Sequence, residues 1–111
     1  MKRKLPIADR ATLLKRRVGF WGIKLKVNPK ILRVQHMSRK WGSCSTKGII
    51  TLAIDLYDQD AHFQDFVIVH ELLHLRVPNH GRLFKALMTT YVPGWKMWDE
   101  KRKKSCPLSF N

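Results

Sequence analysis

Apolar residues recur at helical spacing near the start of the chain. They stand three or four positions apart, at Leu14, Val18, Trp21 and Leu25. This spacing is the period of one face of an α-helix. Asn28 and Pro29 end the pattern, because proline cannot continue a helix. The spacing therefore predicts an N-terminal helix over about residues 9–26.

A different pattern follows, in which apolar and polar residues alternate. Residues 31–37 alternate, and residues 49–56 carry an apolar side chain at every even-numbered position. Alternation is typical of a strand with one buried face. Residues 38–48 between them are rich in turn-forming residues, so we expect a loop that joins an antiparallel pair of strands.

The second half of the chain is predicted to be helical. Residues 61–76 are apolar at most positions all the way round, which is typical of a buried central helix. Pro78 disfavours helical backbone at the residue before it, so this helix should end there. Asn79 is a good N-cap for a following helix over about residues 80–91. A basic amphipathic segment over residues 95–111 closes the chain.

Composition narrows the class of protein. The chain has 111 residues, 44% of them hydrophobic, which excludes a disordered tail and predicts a single folded domain over residues 1–111. No apolar run approaches the roughly 18 residues that cross a bilayer, and the basic start lacks the apolar run of a signal peptide. Cys44 and Cys106 show no framework spacing. We therefore expect free thiols and a cytoplasmic protein without membrane attachment.

The predicted central helix contains an HExxH motif, from His70 to His74. Positions four apart lie one helical turn above one another, so both imidazoles can face one ion while Glu71 points to the same opening. This arrangement suits a catalytic Zn²⁺, with two imidazole ligands, an open position for water and a carboxylate beside that water. His80, just past Pro78, is the predicted third ligand. Two other interpretations are hydrogen-bonded core histidines and a purely structural zinc.

These motifs carry a resemblance to a known family. Residues 37–45 (MSRKWGSCS), residues 67–75 (VIVHELLHL) and the pair Asn79-His80 resemble the YgjP-like metallopeptidase domain, which is related to the SprT-like zincins. The resemblance implies a small zincin-like α+β fold with a short, mostly antiparallel sheet. Residues 49–56 are then either an edge strand that pairs with an extended peptide or an ordinary half-buried strand. It also implies one zinc ion on His70, His74 and His80, with Glu71 as general base in the hydrolysis of a protein or peptide substrate.

Several other side chains are open to two interpretations. Arg39, Lys40 and Trp41 are candidates for contact with substrate or with a nucleotide backbone, although Trp41 is better explained as a packing residue. Tyr91 can stabilise an oxyanion or pack in the core. Cys106 can occupy the open zinc position as a thiolate or belong to a free tail.

The charge distribution leaves a second function open. The net charge is +14, with a pI near 10.4, yet residues 50–80 hold one basic and five acidic residues. The basic residues therefore flank the motif. They favour an acidic substrate or tether beside the zinc, or they only keep the protein soluble. The alternative to a peptidase is a basic nucleic-acid-binding module with a structural or degenerate zinc site.

Overall fold

A computed structural model describes residues 5–107 of the chain. In order it contains helix α1 (Ile7–Leu25), strands β1 (Ile31–Gln35), β2 (Gly42–Cys44) and β3 (Ile49–Ala53), a 3₁₀ helix (Ile54–Asp58), and helices α2 (Ala61–Leu73), α3 (Arg82–Tyr91) and α4 (Trp95–Lys104). The predicted α+β class is confirmed. No helix in this part of the chain has the length and apolarity needed to cross a bilayer.

The N-terminal helix α1 buries one stripe of side chains. Its buried residues follow the helical spacing of the sequence and are Leu14, Val18, Trp21, Gly22 and Leu25. The helix ends where Lys26 adopts the left-handed conformation with φ of 58°, and its N–H donates to the carbonyls of Gly22 and Ile23. This is a common way to satisfy the last carbonyls of a helix. The turn directs the chain into β1.

The three strands form a mixed sheet in the order β1-β3-β2. β1 and β3 are parallel, with Ile31 opposite Ile49, whereas β2 and β3 are antiparallel. The antiparallel pair predicted from residues 31–37 and 49–56 is therefore wrong. The predicted loop contains β2, which forms a hairpin with β3. β1 therefore pairs with the opposite side of β3. β3 is thus the central strand, paired on both sides, so the expectation that residues 49–56 pair with a peptide as an edge strand is wrong. β2 is an edge.

A tight turn joins β2 to β3. The backbone N–H of Gly48 donates to the carbonyl of Ser45, and the Ser45 hydroxyl accepts from the N–H groups of Lys47 and Ile49. Gly48 has φ of 85°, a backbone conformation that a residue with a Cβ adopts only with strain. This turn holds the short β2 in register.

The predicted strand over residues 49–56 ends early. β3 stops at Ala53, and the chain continues as the 3₁₀ helix. Ile54 and Leu56 are buried as expected, but so are Thr51 and Ala53. Because β3 is buried on both faces, the alternation of residues does not mark where the strand ends.

Helix α2 lies at the centre of the fold. The Asp60 side chain caps it by accepting from the N–H of His62, as an N-cap carboxylate does. Every residue from Phe66 to Leu73 is buried. α1 packs on one side of α2, β2 and β3 on another, and α3 and α4 cover the remainder. The Asp65 carboxylate fastens α1 to α2, because it accepts from the Arg17 guanidinium at 2.6 Å and from the Trp21 indole N–H at 2.9 Å.

We expect Asp65→Ala to lower the free energy of unfolding by about 1–3 kcal/mol, because it leaves two donors between the helices without an acceptor. Asp65→Asn keeps an oxygen for the indole N–H, so its loss should be smaller. Denaturant titration of the two variants measures both effects. Equal stability of Asp65→Ala and the unaltered protein would contradict this role for the carboxylate.

Candidate metal centre

Three histidine side chains meet at the C-terminal end of α2. One ligand nitrogen from each of His70, His74 and His80 lies within 4.8 Å of the other two. The Nε2 atom of His80 is 3.0 Å from that of His74 and 3.3 Å from that of His70. The structure thus brings together the three residues that the sequence predicts as ligands, and this group can hold a metal ion.

The end of α2 orients the second histidine. The helix ends at Leu73, before the predicted end near residue 76, and His74 is its C-cap. The Nδ1 of His74 lies 3.1 Å from the carbonyl oxygen of Val77. Because a carbonyl only accepts, Nδ1 carries the hydrogen in this contact, and the Nε2 lone pair is left for a metal.

His80 lies in the turn between α2 and α3. The sequence predicts a helix from His80 with Asn79 as its cap, and this start is wrong, because α3 begins at Arg82 with Gly81 as its N-cap. The Asn79 side chain accepts instead from the N–H of Gly81 at 3.0 Å. Such a local bond stabilises a turn. Outside the helix, the His80 ring can reach back to the other two.

An aromatic side chain forms the floor of the histidine group, and the sequence did not identify it as part of the site. The ring of Phe84 stacks on that of His74 with centroids 4.8 Å apart. It meets His70 and His80 edge to face at 5.4 and 4.9 Å. Phe84 is buried, so it excludes water from beneath the imidazoles. Its helical spacing on α3 marked it only as a core residue.

Burial and nearby charge favour the neutral form of two of these imidazoles, those of His74 and His80. The pKa of His74 is lowered by burial and by the nearby charge of His70. The pKa of His80 is lowered by burial and then by His70, His74 and Arg102. Neutral imidazole is the form that binds a metal. Arg102 belongs to α4, and no sequence signal placed it beside the histidines.

Glu71 is buried next to the group. Its carboxylate oxygen lies 3.2 Å from the Nδ1 of His70. β2 passes close to it, since a Cβ on Gly42 would lie 3.1 Å from the Glu71 Cγ and 3.2 Å from the Leu52 Cδ2. The absence of a side chain at Gly42 therefore lets β2 approach the helix at this point. Burial, followed by the charge of Glu71, raises the pKa of the nearby Cys44 thiol.

A cleft opens on both sides of the histidines. One cavity of about 660 Å³ is lined by residues 44–48 together with His74 and His80. A second, of about 440 Å³, is lined by β2 together with His70, Glu71 and His74. Cys44 and His74 line both cavities. The histidine group is therefore accessible from two directions.

The residues before β2 have different environments. Arg39 and Lys40 are exposed and line the second cavity. Trp41 is buried, packs edge to face on Phe63 and donates its indole N–H to the Ser105 hydroxyl. Its ring therefore cannot stack on a nucleotide, and the packing interpretation agrees with the structure.

Cys106 and Tyr91, the two remaining candidate site residues, lie outside the histidine group. Cys44 and Cys106 are both free thiols, as predicted. The Cys106 thiol contacts the carbonyl of Arg39 at 3.7 Å and is not a member of the group. Residues 108–111 of the tail lie outside the described residues. Tyr91 packs against the hydrophobic core.

A family model that matches most of the chain identifies the family of this protein. A model of the YgjP-like metallopeptidase domain matches residues 7–104. The chain belongs to this family. The predicted resemblance is thus confirmed, and membership assigns a metallopeptidase function with a peptide or protein substrate. No curated protein matches the chain.

Two solved structures are similar to this one. The metallopeptidase zymogen of Methanocaldococcus jannaschii jannalysin has a TM-score of 0.68 and 25% identity, over 79% of this chain and 91% of that one. The metallopeptidase zymogen of Pyrococcus abyssi abylysin has a TM-score of 0.59 and 21% identity, over 86% of this chain and 90% of that one. The second likeness concerns the fold alone. Together they confirm the small zincin-like α+β fold.

We expect His80→Ala to weaken metal binding by more than about 100-fold, because losing a direct ligand should exceed the 10–100-fold effect of losing an outer partner. His36→Ala is the control, since His36 is exposed and outside the group. Competition with a chelator measures both affinities. Unchanged affinity in His80→Ala would remove this residue from the site.

Two glycine substitutions should change stability in opposite directions. Gly42→Ala should lower the free energy of unfolding by about 1–3 kcal/mol, because β2 is already packed against Glu71. Gly19→Ala should raise it by about 0.5–1 kcal/mol, because alanine favours a helix and the new Cβ meets nothing within 4 Å. Thermal or denaturant unfolding compares them. A neutral Gly42→Ala would mean that the close approach of β2 is not required.

Proposed function

We propose that the protein is a zinc metalloendopeptidase that holds one Zn²⁺ ion on His70, His74 and His80. The observation that carries the proposal is the three-histidine group, open to a cleft and beside a buried glutamate. Zinc bonded to imidazole at about 2.0–2.1 Å in a tetrahedron needs nitrogens about 3.3–3.4 Å apart. Two of the three separations between the Nε2 atoms, 3.0 and 3.3 Å, are close to this value and support a tetrahedral ion such as zinc, and all three ligand atoms lie within 4.8 Å of one another. A cleft open on both sides supports an endopeptidase.

The donor set favours a catalytic over a structural zinc. Among residues 5–107, no fourth His, Cys, Asp or Glu joins the group. Structural zinc sites are usually closed by four protein ligands, whereas catalytic sites keep a position open. When bound, zinc polarises a carbonyl oxygen and lowers the pKa of a coordinated water.

Glu71 is the proposed general base. It is the one carboxylate that lines the second cavity with His70 and His74. Its carboxylate would take a proton from the attacking water and pass it to the amine nitrogen as the peptide bond breaks. The 3.2 Å contact with the His70 ring supports this role, because it holds the carboxylate at the end of the helix.

The edge strand β2 is the proposed binding site for the peptide backbone. Trp41 and Ser45 bond to β3 on either side of β2. Backbone groups alternate in direction along an antiparallel strand, so those of Gly42 and Cys44 face away from β3. Both residues line the second cavity. An extended peptide can therefore add to this edge beside the histidines.

The structure favours the peptidase over a basic nucleic-acid-binding module. Trp41, the aromatic residue proposed to stack on a nucleotide, is buried. The histidine group also lacks the fourth ligand of a structural site within the described chain. Both cysteines are free, which supports the further proposal that the protein acts in the reducing cytoplasm.

We expect zinc-loaded Glu71→Gln to lose about 10²–10⁴-fold in kcat/KM on a peptide substrate, the usual contribution of general acid–base catalysis. Zinc affinity should change far less, because all three histidines remain. A fluorogenic peptide assay and a zinc titration on the same preparation measure the two effects.

Glu100→Gln is the matched control, because Glu100 is the second glutamate of the chain and is exposed on α4. Its kcat/KM should equal that of the unaltered protein. Full activity of Glu71→Gln with zinc bound would exclude Glu71 as the base. Activity that survives complete removal of metal would exclude the zinc mechanism altogether.

A further inference from the structure

Cationic side chains surround the histidine group. Seven of them line the cavities that open onto it, and they are Lys30, Arg39, Lys40, Lys47, Lys85, Arg102 and Lys103. The same cavities contain two acidic side chains, Glu71 and Asp99. The walls of these cavities therefore have a surplus of five positive charges, which is part of the net charge of +14 of the chain.

The two acidic side chains are already engaged. Glu71 contacts His70. Asp99 accepts from Arg102 at 2.8 and 2.9 Å and lies 3.5 Å from the Lys103 ammonium. Asp99 thus neutralises part of the charge on α4 and holds Arg102 in place. The ion pairs of Asp99 within residues 5–107 are with these α4 side chains and not with the cations near β2.

Four cationic side chains lie near the two ends of β2. Arg39 and Lys40 precede the strand, and Lys47 follows it in the hairpin turn. Lys30 lies beside that turn, because its backbone N–H donates to the Gly48 carbonyl at 2.8 Å. Within residues 5–107, none of these four forms an ion pair with a carboxylate. All four are exposed and free to meet a ligand.

We propose that the cleft selects peptides with acidic side chains on both sides of the bond to be cleaved. A peptide added to β2 would run from the Arg39-Lys40 end to the Lys30-Lys47 end and place its side chains between these charges. Complementary charge raises the encounter rate and discriminates against basic ligands. This specificity rests on the proposed peptidase function and names its substrate class.

An acidic peptide fits this cleft better than a nucleic acid. Binding of single-stranded nucleic acid uses exposed aromatic rings on which bases stack, together with cations. The aromatic residues that line these cavities are Trp41, Phe84 and Trp95, and all three are buried. The walls therefore present charge without a stacking surface.

The test compares two labelled peptides that differ only in having Glu or Gln at the positions flanking a common centre. Fluorescence anisotropy measures their binding to the zinc-loaded Glu71→Gln protein, which should leave them intact. We expect the Glu peptide to bind about tenfold more tightly, the size expected of a few partly exposed ion pairs acting together. This ratio should shrink as salt rises from about 0.1 to 1 M and the Debye length falls from about 10 to 3 Å.

Two double variants with the same change in net charge locate the effect. Arg39→Glu/Lys40→Glu should weaken the preference for the Glu peptide to the part that Lys30 and Lys47 contribute at the other end of β2. Lys15→Glu/Arg16→Glu should keep it, because these exposed residues lie on α1 and line none of the cavities around the histidines. Equal binding of both peptides, or equal loss in both variants, would overturn the proposal.

Cleavage by the zinc-loaded protein separates this proposal from the proposed function. Faster cleavage of the Glu peptide supports both. Equal cleavage of the two peptides overturns the specificity and leaves the peptidase intact, whereas cleavage of neither overturns the peptidase.

A single-stranded oligonucleotide of equal charge is a final competitor. Binding tighter than that of the Glu peptide, and lost in Arg39→Glu/Lys40→Glu, would assign the cleft to nucleic acid instead.

Discussion

The burial of α2 on every side is the constraint on which the rest of the molecule depends. Interiors of proteins are close-packed, so this helix cannot rotate or slide without opening voids against α1, the sheet or the later helices. His70 and Glu71 lie among these buried residues, and the His70 ring packs against that of Phe66 with centroids 5.7 Å apart. The same packing determines where β2 and His80 can approach.

Placing polar side chains in such a helix has a cost that the surroundings must offset. Burying imidazoles and a carboxylate without partners is unfavourable. Here His70 and Glu71 contact each other, the His74 ring is held by the Val77 carbonyl, and Phe84 supports all three imidazoles. A metal would satisfy the remaining nitrogen lone pairs. The chemistry and the stability of this region are thus coupled.

The pattern of apolar and polar residues predicted an element correctly where only one face of that element packs against the core. The spacing of Leu14, Val18 and Trp21 located α1, and the His70–His74 motif identified two members of the site. The pattern failed at β2, because three residues within a polar stretch carry no periodicity. It also failed at the start of α3, where the Asn79 side chain bonds within a turn instead of capping a helix.

The sequence by itself determined the central helix and the three histidines, because these depend on spacing along the chain. The residues of its motifs carried the resemblance to the family, and that resemblance implied the α+β class. Only the tertiary structure decided the parallel pairing of β1 with β3, the position of β2 at the edge and the Phe84 floor. It also brought Arg102 and Lys103 beside a motif about thirty residues earlier. Such contacts join segments far apart in sequence, and their geometry follows from the packing of whole elements around α2.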